Sequence, residues 1–551
     1  MFLRICKLFI SVYLLLFPIA LSAQPPIQWQ KSLGGTEVDI AYSIQQTADS
    51  GFIVAGSTSS GNGDVTGNHN PGYNGDDYWI VKLGKTGAIE FQKCLGGTQP
   101  DWARSILQTR DGGYIVAGSS SSSNGDITGH HGVNTSEDYW IVKLNNTGAI
   151  QWQKSLGGSN SDKAYAIALT SDGGYIIAGS SESNNGDVTG LHGTSTIADD
   201  YWIVKLDSSG HLLWQKCLGG DRDDIARSIQ ETSDSGYIVA GTTESSNGDV
   251  TGHQGWTDYW IVKLDHTGAI QWQKTLGGSF IDVASEIRQT PDGGYVVAGY
   301  SISSDGDVTG LHDPVIYGGD AWIVKLDSSG SIEWKKCLGG SEPDLANSIG
   351  LTSDGGYIVA GSSYSNDGDV TGHHGEMVVP DPDCWIVKLN HSGIIQWQKS
   401  MGGTNDDEST FVRQTFDGGF IVAGTTASID GNASGLHVHS YYENPDFWVV
   451  KINHTGVEDL TNPISNLHIT PNPVSASMNI SFSLNETRTI SVSIYDISGR
   501  LIRNFINNTL PPGIHEIKWN LENKSAIADG IYVLSVKSDD SILCKKIVVA
   551  D

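Results

Sequence analysis

Short runs of six or seven residues, some alternating apolar with polar and some apolar almost throughout, recur along most of this chain as β-strand patterns, and glycine-rich turns separate them. Ala103-Arg-Ser-Ile-Leu-Gln-Thr109 is followed by Arg110-Asp-Gly-Gly113 and then by Tyr114-Ile-Val-Ala-Gly-Ser-Ser120. Asp-Gly between two such runs marks a tight hairpin. A long polar loop comes next, then Tyr139-Trp-Ile-Val-Lys-Leu144, the turn Asn145-Asn-Thr-Gly148, and Ile150-Gln-Trp-Gln-Lys-Ser-Leu156. Four antiparallel strands are predicted, and nothing reads as a long helix.

The unit recurs. Copies of its fourth strand start at Ile27, Ile89, Ile150, Leu212, Ile270, Ile332 and Ile395, at intervals of 62, 61, 62, 58, 62 and 63 residues. A fixed period of this length marks a structural unit repeated in space. The chain opens with a lone fourth strand at 27–33, and the last copy supplies strands near 411–415, 420–426 and 447–452 and then stops. One end completes the other, which removes two sheet edges. The predicted fold is all-β: a seven-bladed β-propeller over 27–457, closed by the N-terminal strand, then a linker at 458–466 and a small Ig-like β-sandwich over 467–551. Six strands are expected in the sandwich, the first at 478–484.

Tryptophan recurs on the third strand of every copy, from Trp79 to Trp448, and on the fourth strand of all but one, where Phe91 stands in. Packing between adjacent blades accounts for these aromatics better than stacking on sugar rings. Lysine recurs three places after the third-strand tryptophan, from Lys82 to Lys451, on the opposite side of the strand, and is read as a partner for blade carboxylates.

A net charge of −29 in 551 residues argues against nucleic acid or an anionic membrane as partner. Residues 1–23 carry Arg4 and Lys7, an apolar run and a small-residue end, the pattern of a secretory signal peptide. Cys94, Cys217 and Cys337 occupy one equivalent strand position in alternate copies, too far apart to bridge, so free thiols are expected.

Beyond the repeats, Pro471-Asn-Pro473, Val492-Ser-Ile-Tyr-Asp-Ile-Ser-Gly-Arg500, Pro512-Gly-Ile-His515, Gly530-Ile-Tyr-Val-Leu534 and Lys545-Lys-Ile-Val-Val549 occur in order. Together they resemble the type A C-terminal sorting domain of the type IX secretion system. The resemblance implies passage of the inner membrane by a signal peptide and of the outer membrane through this domain. It places the protein at the surface of a Gram-negative bacterium or outside it, with the type IX machinery as partner. The upstream repeats are similar to arrays found before such domains, a likeness that carries no activity.

Strand direction alternates, so the loops between strands two and three and those between copies fall on one face. Each inter-copy loop reads Gly-Gly followed by an aspartate: Asp39, Asp101, Asp162, Asp224, Asp282, Asp344 and Asp407. These seven are candidates for a ligand-binding ring at a channel mouth; the competing reading has each one fixing its own glycine turn. The long loop carries Asp64, Asp126, Asp187, Asp249, Asp307 or Asp369, and ends at Asp77, Asp138, Asp200, Asp258, Asp320, Asp383 or Asp446. Two carboxylates per loop, with Asp305 and Asp367 adding a third in two copies, make calcium the candidate cofactor, one ion per loop. The seventh copy, Asp430-Gly-Asn-Ala-Ser-Gly435, lacks the usual carboxylate and is expected to bind weakest. His69, His131, His192, His312 and His374 sit one per copy, too dispersed for zinc, and are expected to face solvent.

No Gly-x-Ser-x-Gly elbow, His-Glu-x-x-His or phosphate-cradling loop occurs. Departures from repetition are few: Trp102, Trp256, Arg222, Glu376 and Tyr441-Tyr-Glu443. Three readings follow: a monomeric binding or adhesion module for an extracellular glycan or protein, a carbohydrate-active enzyme using the ring carboxylates, or a repetitive spacer with no ligand.

Overall fold

The computed structural model describes residues 24–453, apart from 73–74, 134–135, 194–197, 313–317, 376–380 and 438–443, and residues 464–549, apart from 471–476, 485–486, 497–499, 521–529 and 539–541. The leader at 1–23, most of the linker, Glu376, the insert 441–443 and the motif 471–473 lie outside the described residues. The chain divides into two compact units, Met1–His454 and Thr455–Asp551.

Among the described residues the first unit is all β, in seven four-stranded antiparallel sheets. Sheets 1 to 6 each take four consecutive strands and begin at Asp39, Asp101, Asp162, Asp224, Asp282 and Asp344. Sheet 7 takes Asp407–Gln414, Phe420–Thr426 and Asp446–Ile452, and its fourth strand is Ile27–Leu33 from the other end of the unit. That strand pairs antiparallel with Asp446–Ile452, Trp29 opposite Lys451 and Leu33 opposite Phe447. Every sheet is open; none closes on itself.

The first strands begin earlier than the alternation suggests. Asp101–Gln108 starts two residues before 103, so the aspartate expected in a loop belongs to the sheet. Apart from Tyr300 and Thr425, the second and third strands are buried along their whole length, as in Tyr114–Ser120 and Asp138–Leu144, because neighbouring sheets cover both faces. In the fourth strand, Ile150–Leu156, the first five residues are part-exposed or exposed and only Ser155 and Leu156 are buried. Trp140 is fully buried; its Nε1 donates to Gln153 Oε1 at 2.9 Å, and its ring lies 4.5 Å from that of Tyr78 in the sheet before. Burial of one such side chain contributes about 2–3 kcal/mol. Sheets 7 and 1 meet in the same way: Trp79 lies 4.5 Å from Phe447, and Thr410 Oγ1 donates to the Ala41 carbonyl at 2.7 Å.

The recurring lysines are held as expected. Lys143 is buried, with Nζ 2.9 Å from Asp111 Oδ2 and 3.0 Å from the Leu144 carbonyl, and the other six sheets repeat the pairing, Lys82 with Asp49 and Lys451 with Asp417 among them. Cys94, Cys217, Cys337 and Cys384 are buried free thiols.

Each first strand also carries a β-bulge. In sheet 2 the register passes from Ala103 opposite Gly118 to Ser105 opposite Ala117, and Arg104 is left out of the pairing. The same slip leaves out Tyr42, Tyr165, Arg227, Ser285, Asn347 and Thr410. A bulge re-aims the side chain it carries.

The second unit is a two-sheet sandwich. Ile464–Thr470, Ser477–Leu484 and Gly513–Asn520 form one sheet; Leu501–Leu510, Arg488–Asp496, Gly530–Lys537 and Ile542–Val549 form the other. Ile480, Phe482, Val492, Ile494, Leu534 and Ile547 are fully buried in one core. The strand at Ile464–Thr470 was not expected and shortens the linker; its polar Ser465, Asn466 and His468 break the apolar alternation.

Candidate functional site

The seven aspartates expected at a channel mouth do not line one. Asp39, Asp101, Asp162, Asp224, Asp282, Asp344 and Asp407 are all fully buried. Asp101 Oδ2 accepts the backbone N–H of Gly97 at 2.8 Å and the Ser122 hydroxyl at 3.1 Å, and the other six make the same glycine contact at 2.7–2.8 Å. They hold the inter-sheet turn. The glycine before it separates two carboxylates: a Cβ on Gly96 would lie 2.5 Å from Asp101 Oδ2 and 2.5 Å from Asp77 Oδ1 of the preceding sheet. Burial, and secondarily the Asp77 charge, push Asp101 up to about 7 against the hydrogen bonds that lower it; Asp39, Asp162 and Asp224 also reach about 7.

The two carboxylates of one long loop are not brought together as a calcium site requires. Asp77 Oδ2 accepts the backbone N–H of His69 at 3.0 Å and faces its Nδ1 at 2.7 Å, while His69 Nε2 points at Asp126 of the next sheet, 3.8 Å away. His131 joins Asp138 to Asp187, His192 joins Asp200 to Asp249, and His312 joins Asp320 to Asp369 in the same way. Asp64 is faced by His437 of sheet 7, whose Nδ1 lies 2.8 Å from Asp446. Two junctions lack a partner of this type among the described residues: Gln254 replaces the histidine and bonds Asp258 through its backbone N–H at 2.6 Å, leaving Asp307 without a histidine, and His374, on Asp383, has no aspartate opposite because Asn432 stands at that sequence position. Asp305 and Asp367 are not additional ligands either. They accept the backbone N–H of Ser279 and Ser341 at 2.8 and 2.7 Å, the task Asn62 and Asn124 perform in other copies. Among the described residues no group of three or more His, Cys, Asp or Glu is placed to hold a metal.

The histidines are therefore bridges rather than free surface groups, each about a third exposed. Burial disfavours the charged His69 ring, but the hydrogen bond and charge of Asp77, with Asp126 beyond, outweigh it and raise its pKa; His312 is raised likewise. Of the non-repeated residues, Trp102 donates Nε1 to Asp76 at 2.8 Å, Arg222 lies on the surface, and Trp256 is 66% exposed, edge-on to Phe280.

The feature that breaks the repetition was not singled out from the sequence. A cavity of about 360 Å³ is lined by the first strands of all seven sheets, and the seven bulge residues, Tyr42, Arg104, Tyr165, Arg227, Ser285, Asn347 and Thr410, all face it. Arg104 lies 4.0 Å over the Tyr42 ring and Arg227 6.0 Å over Tyr165, so sheets 1 to 4 present Tyr, Arg, Tyr, Arg in order. The other arc carries small polar groups. Beneath it Glu286, almost fully buried, pairs with Arg288 and Arg413, and its Oε2 accepts from Ser348 Oγ and Ile349 N at 2.8 Å each. Aligning the copies on their aspartates marks this position as variable, five identities in seven copies after a nearly invariant Asp-x-Ala, but does not show that the seven side chains meet.

Residues 468–550 match the family described as the secretion system C-terminal sorting domain. The chain thus carries a type IX sorting tail behind a β-propeller-like repeat unit, and such a tail implies a secreted or cell-surface location. Its similarities to individual proteins are looser. The regulatory protein FlaEY of Caulobacter vibrioides is 22% identical over 406 residues, which is 68% of this chain and 41% of that protein. PorZ of Porphyromonas gingivalis, a surface component of the type IX secretion system, is similar in structure with a TM-score of 0.29 and 11% identity, over 87% of this chain and 63% of that one. Sqt1 from Chaetomium thermophilum gives a TM-score of 0.35 at 10% identity, over 95% and 100%. Puromycin hydrolase gives 0.40 at 11%, over 82% and 62%. No function is inferred from these likenesses.

Proposed function

We propose that 27–457 is a seven-bladed β-propeller closed by its N-terminal strand and that, once exported, it acts as a binding module whose ligand enters the central cavity. One observation carries the reading. Sheets that repeat almost residue for residue diverge at the position facing that cavity, where Tyr42, Arg104, Tyr165, Arg227, Ser285, Asn347 and Thr410 stand. A spacer has no need of an open cavity lined by unlike polar side chains.

The pairing of Ile27–Leu33 with sheet 7 and the aromatic contact between Trp79 and Phe447 support closure. The enzyme alternative is weakened by the burial of Asp224 and Asp344, which leaves the ring carboxylates out of a substrate's reach. A concave space of a few hundred Å³ on which a few polar groups converge is a usual form of small-molecule site. The test is to incubate the purified full chain with a glycan and metabolite panel, measuring binding by calorimetry and turnover by product analysis. Binding without turnover supports the module; turnover that survives Asp224→Asn and Asp344→Asn but is lost on Arg104→Gln would move the reading to an enzyme acting in the cavity.

A further inference from the structure

The cavity has a chemistry of its own, and it is opposite in sign to the rest of the molecule. The chain carries a net charge of −29, yet the cavity lining contains Arg104, Arg227 and Arg288, with Glu286 its single carboxylate and no aspartate among the lining residues. Glu286 is already shared between Arg288 and Arg413. Arg104 and Arg227 make no ion pair within 4 Å among the described residues; Arg104 lies 4.0 Å over the Tyr42 ring, and Arg227, which is exposed, lies 6.0 Å from the centre of the Tyr165 ring. Arg104 is half-buried, so its five N–H donors lie in a partly dehydrated cleft without an acceptor of the protein's own.

An unpaired guanidinium in such a cleft binds an oxyanion through charge-assisted hydrogen bonds, and its planar fork suits a carboxylate or phosphate. The opposite arc supplies the Ser285 hydroxyl and two acceptors for ligand hydroxyls, Asn347 Oδ1 and Thr410 Oγ1, since Asn347 Nδ2 already donates to the Ser409 carbonyl at 2.9 Å and Thr410 to that of Ala41. We infer that the cavity binds a small hydroxylated anion, a sugar acid or sugar phosphate, with the anionic group on the Arg104 and Arg227 arc and the hydroxylated body toward Ser285, Asn347 and Thr410. This rests on the cavity's being a binding site. It adds the charge and class of the ligand and the direction in which it lies.

The bulge is what makes the site. In regular pairing a first-strand side chain would sit against a neighbouring sheet; the extra residue turns Arg104 and Arg227 out of the ladder and into the shared space. The surrounding negative charge keeps anions away from the outside of the protein, so recognition is confined to this point and weakens as salt rises.

The experiment titrates the full chain with D-glucuronate, glucose 6-phosphate, inorganic phosphate and glucose, by calorimetry at low and high salt. Binding of glucuronate or glucose 6-phosphate at least tenfold tighter than glucose, lost at least tenfold in Arg104→Gln/Arg227→Gln and partly kept in Arg104→Lys/Arg227→Lys, is the expected result. The two anions separate the carboxylate from the phosphate source. Among the described residues neither arginine pairs with a carboxylate, so both variants are expected to melt with the wild type, and that is checked first. Inorganic phosphate binding as tightly as glucose 6-phosphate would overturn the hydroxyl half of the inference. Anion binding unchanged in the double glutamine variant would overturn all of it, as would no binding of either sugar anion. A neutral glycan bound equally by wild type and variant would remove this inference while leaving the binding-module reading in place.

Discussion

Asp101→Asn isolates the cost of keeping a carboxylate inside an inter-sheet turn. Asp101 is fully buried across Gly96 from Asp77, and its pKa rises from 3.8 to about 7. The folded pKa lies above the unfolded one, so folding takes up a proton between about pH 4 and pH 7, and stability falls as pH rises through that window. Asparagine keeps an acceptor for Gly97 and Ser122 and has no charge to desolvate. At about 1.4 kcal/mol per pKa unit, the variant gains about 4 kcal/mol over wild type at pH 8 and less than about 2 kcal/mol at pH 5. For a unit of about 430 residues the unfolding entropy near the midpoint is about 0.9 kcal/mol/K, which makes the gain about 4–5 °C at pH 8 and about 2 °C or less at pH 5. Calorimetric melting at the two pH values, with tryptophan fluorescence as a second probe, reads it directly. An equal shift at both, or a variant that melts below wild type at pH 8, would refute the reasoning.

Further predictions follow from contacts between sheets. Tyr78, Tyr139, Tyr201 and Tyr259 each donate their hydroxyl to a tryptophan carbonyl of the next sheet at 2.8–2.9 Å, inside a dry interface. Changing all four to Phe should cost about 1–2 kcal/mol each and, because the sites are far apart, add to a melting shift of about 4–9 °C. Calcium and chelator should leave the melting midpoint unchanged, since the carboxylate oxygens a calcium loop would use are turned to histidine and backbone N–H groups; a rise of several degrees with millimolar calcium would contradict that arrangement. Removing 468–550 should leave the protein inside the outer membrane, as read by cell fractionation and immunoblotting.

The strand repeat was legible from the residues because short apolar runs, Asp-Gly turns and a constant period are local properties of the chain. Ile27–Leu33 could be matched to sheet 7 from its motif alone, since a strand without its first three partners has an edge to fill. The tail could be read from motifs in order, although Ile464–Thr470 was missed for want of apolar alternation. The lysines that pair with Asp49 and Asp111 were also within reach, because strand periodicity puts them on the face opposite tryptophan.

Tertiary structure alone decided which carboxylates meet and which side chains reach the cavity. Sequence proximity groups Asp64 with Asp77, but His69 ties Asp77 to Asp126, and Gly96 sets it beside Asp101. Both neighbours belong to the next sheet. Whether two charged groups meet depends on how sheets are set side by side, a matter of through-space packing that strand period does not encode. The cavity is the same case. Arg104 and Arg227 reach it because one residue in each first strand slips out of register, which repeats of alternating hydrophobicity do not reveal.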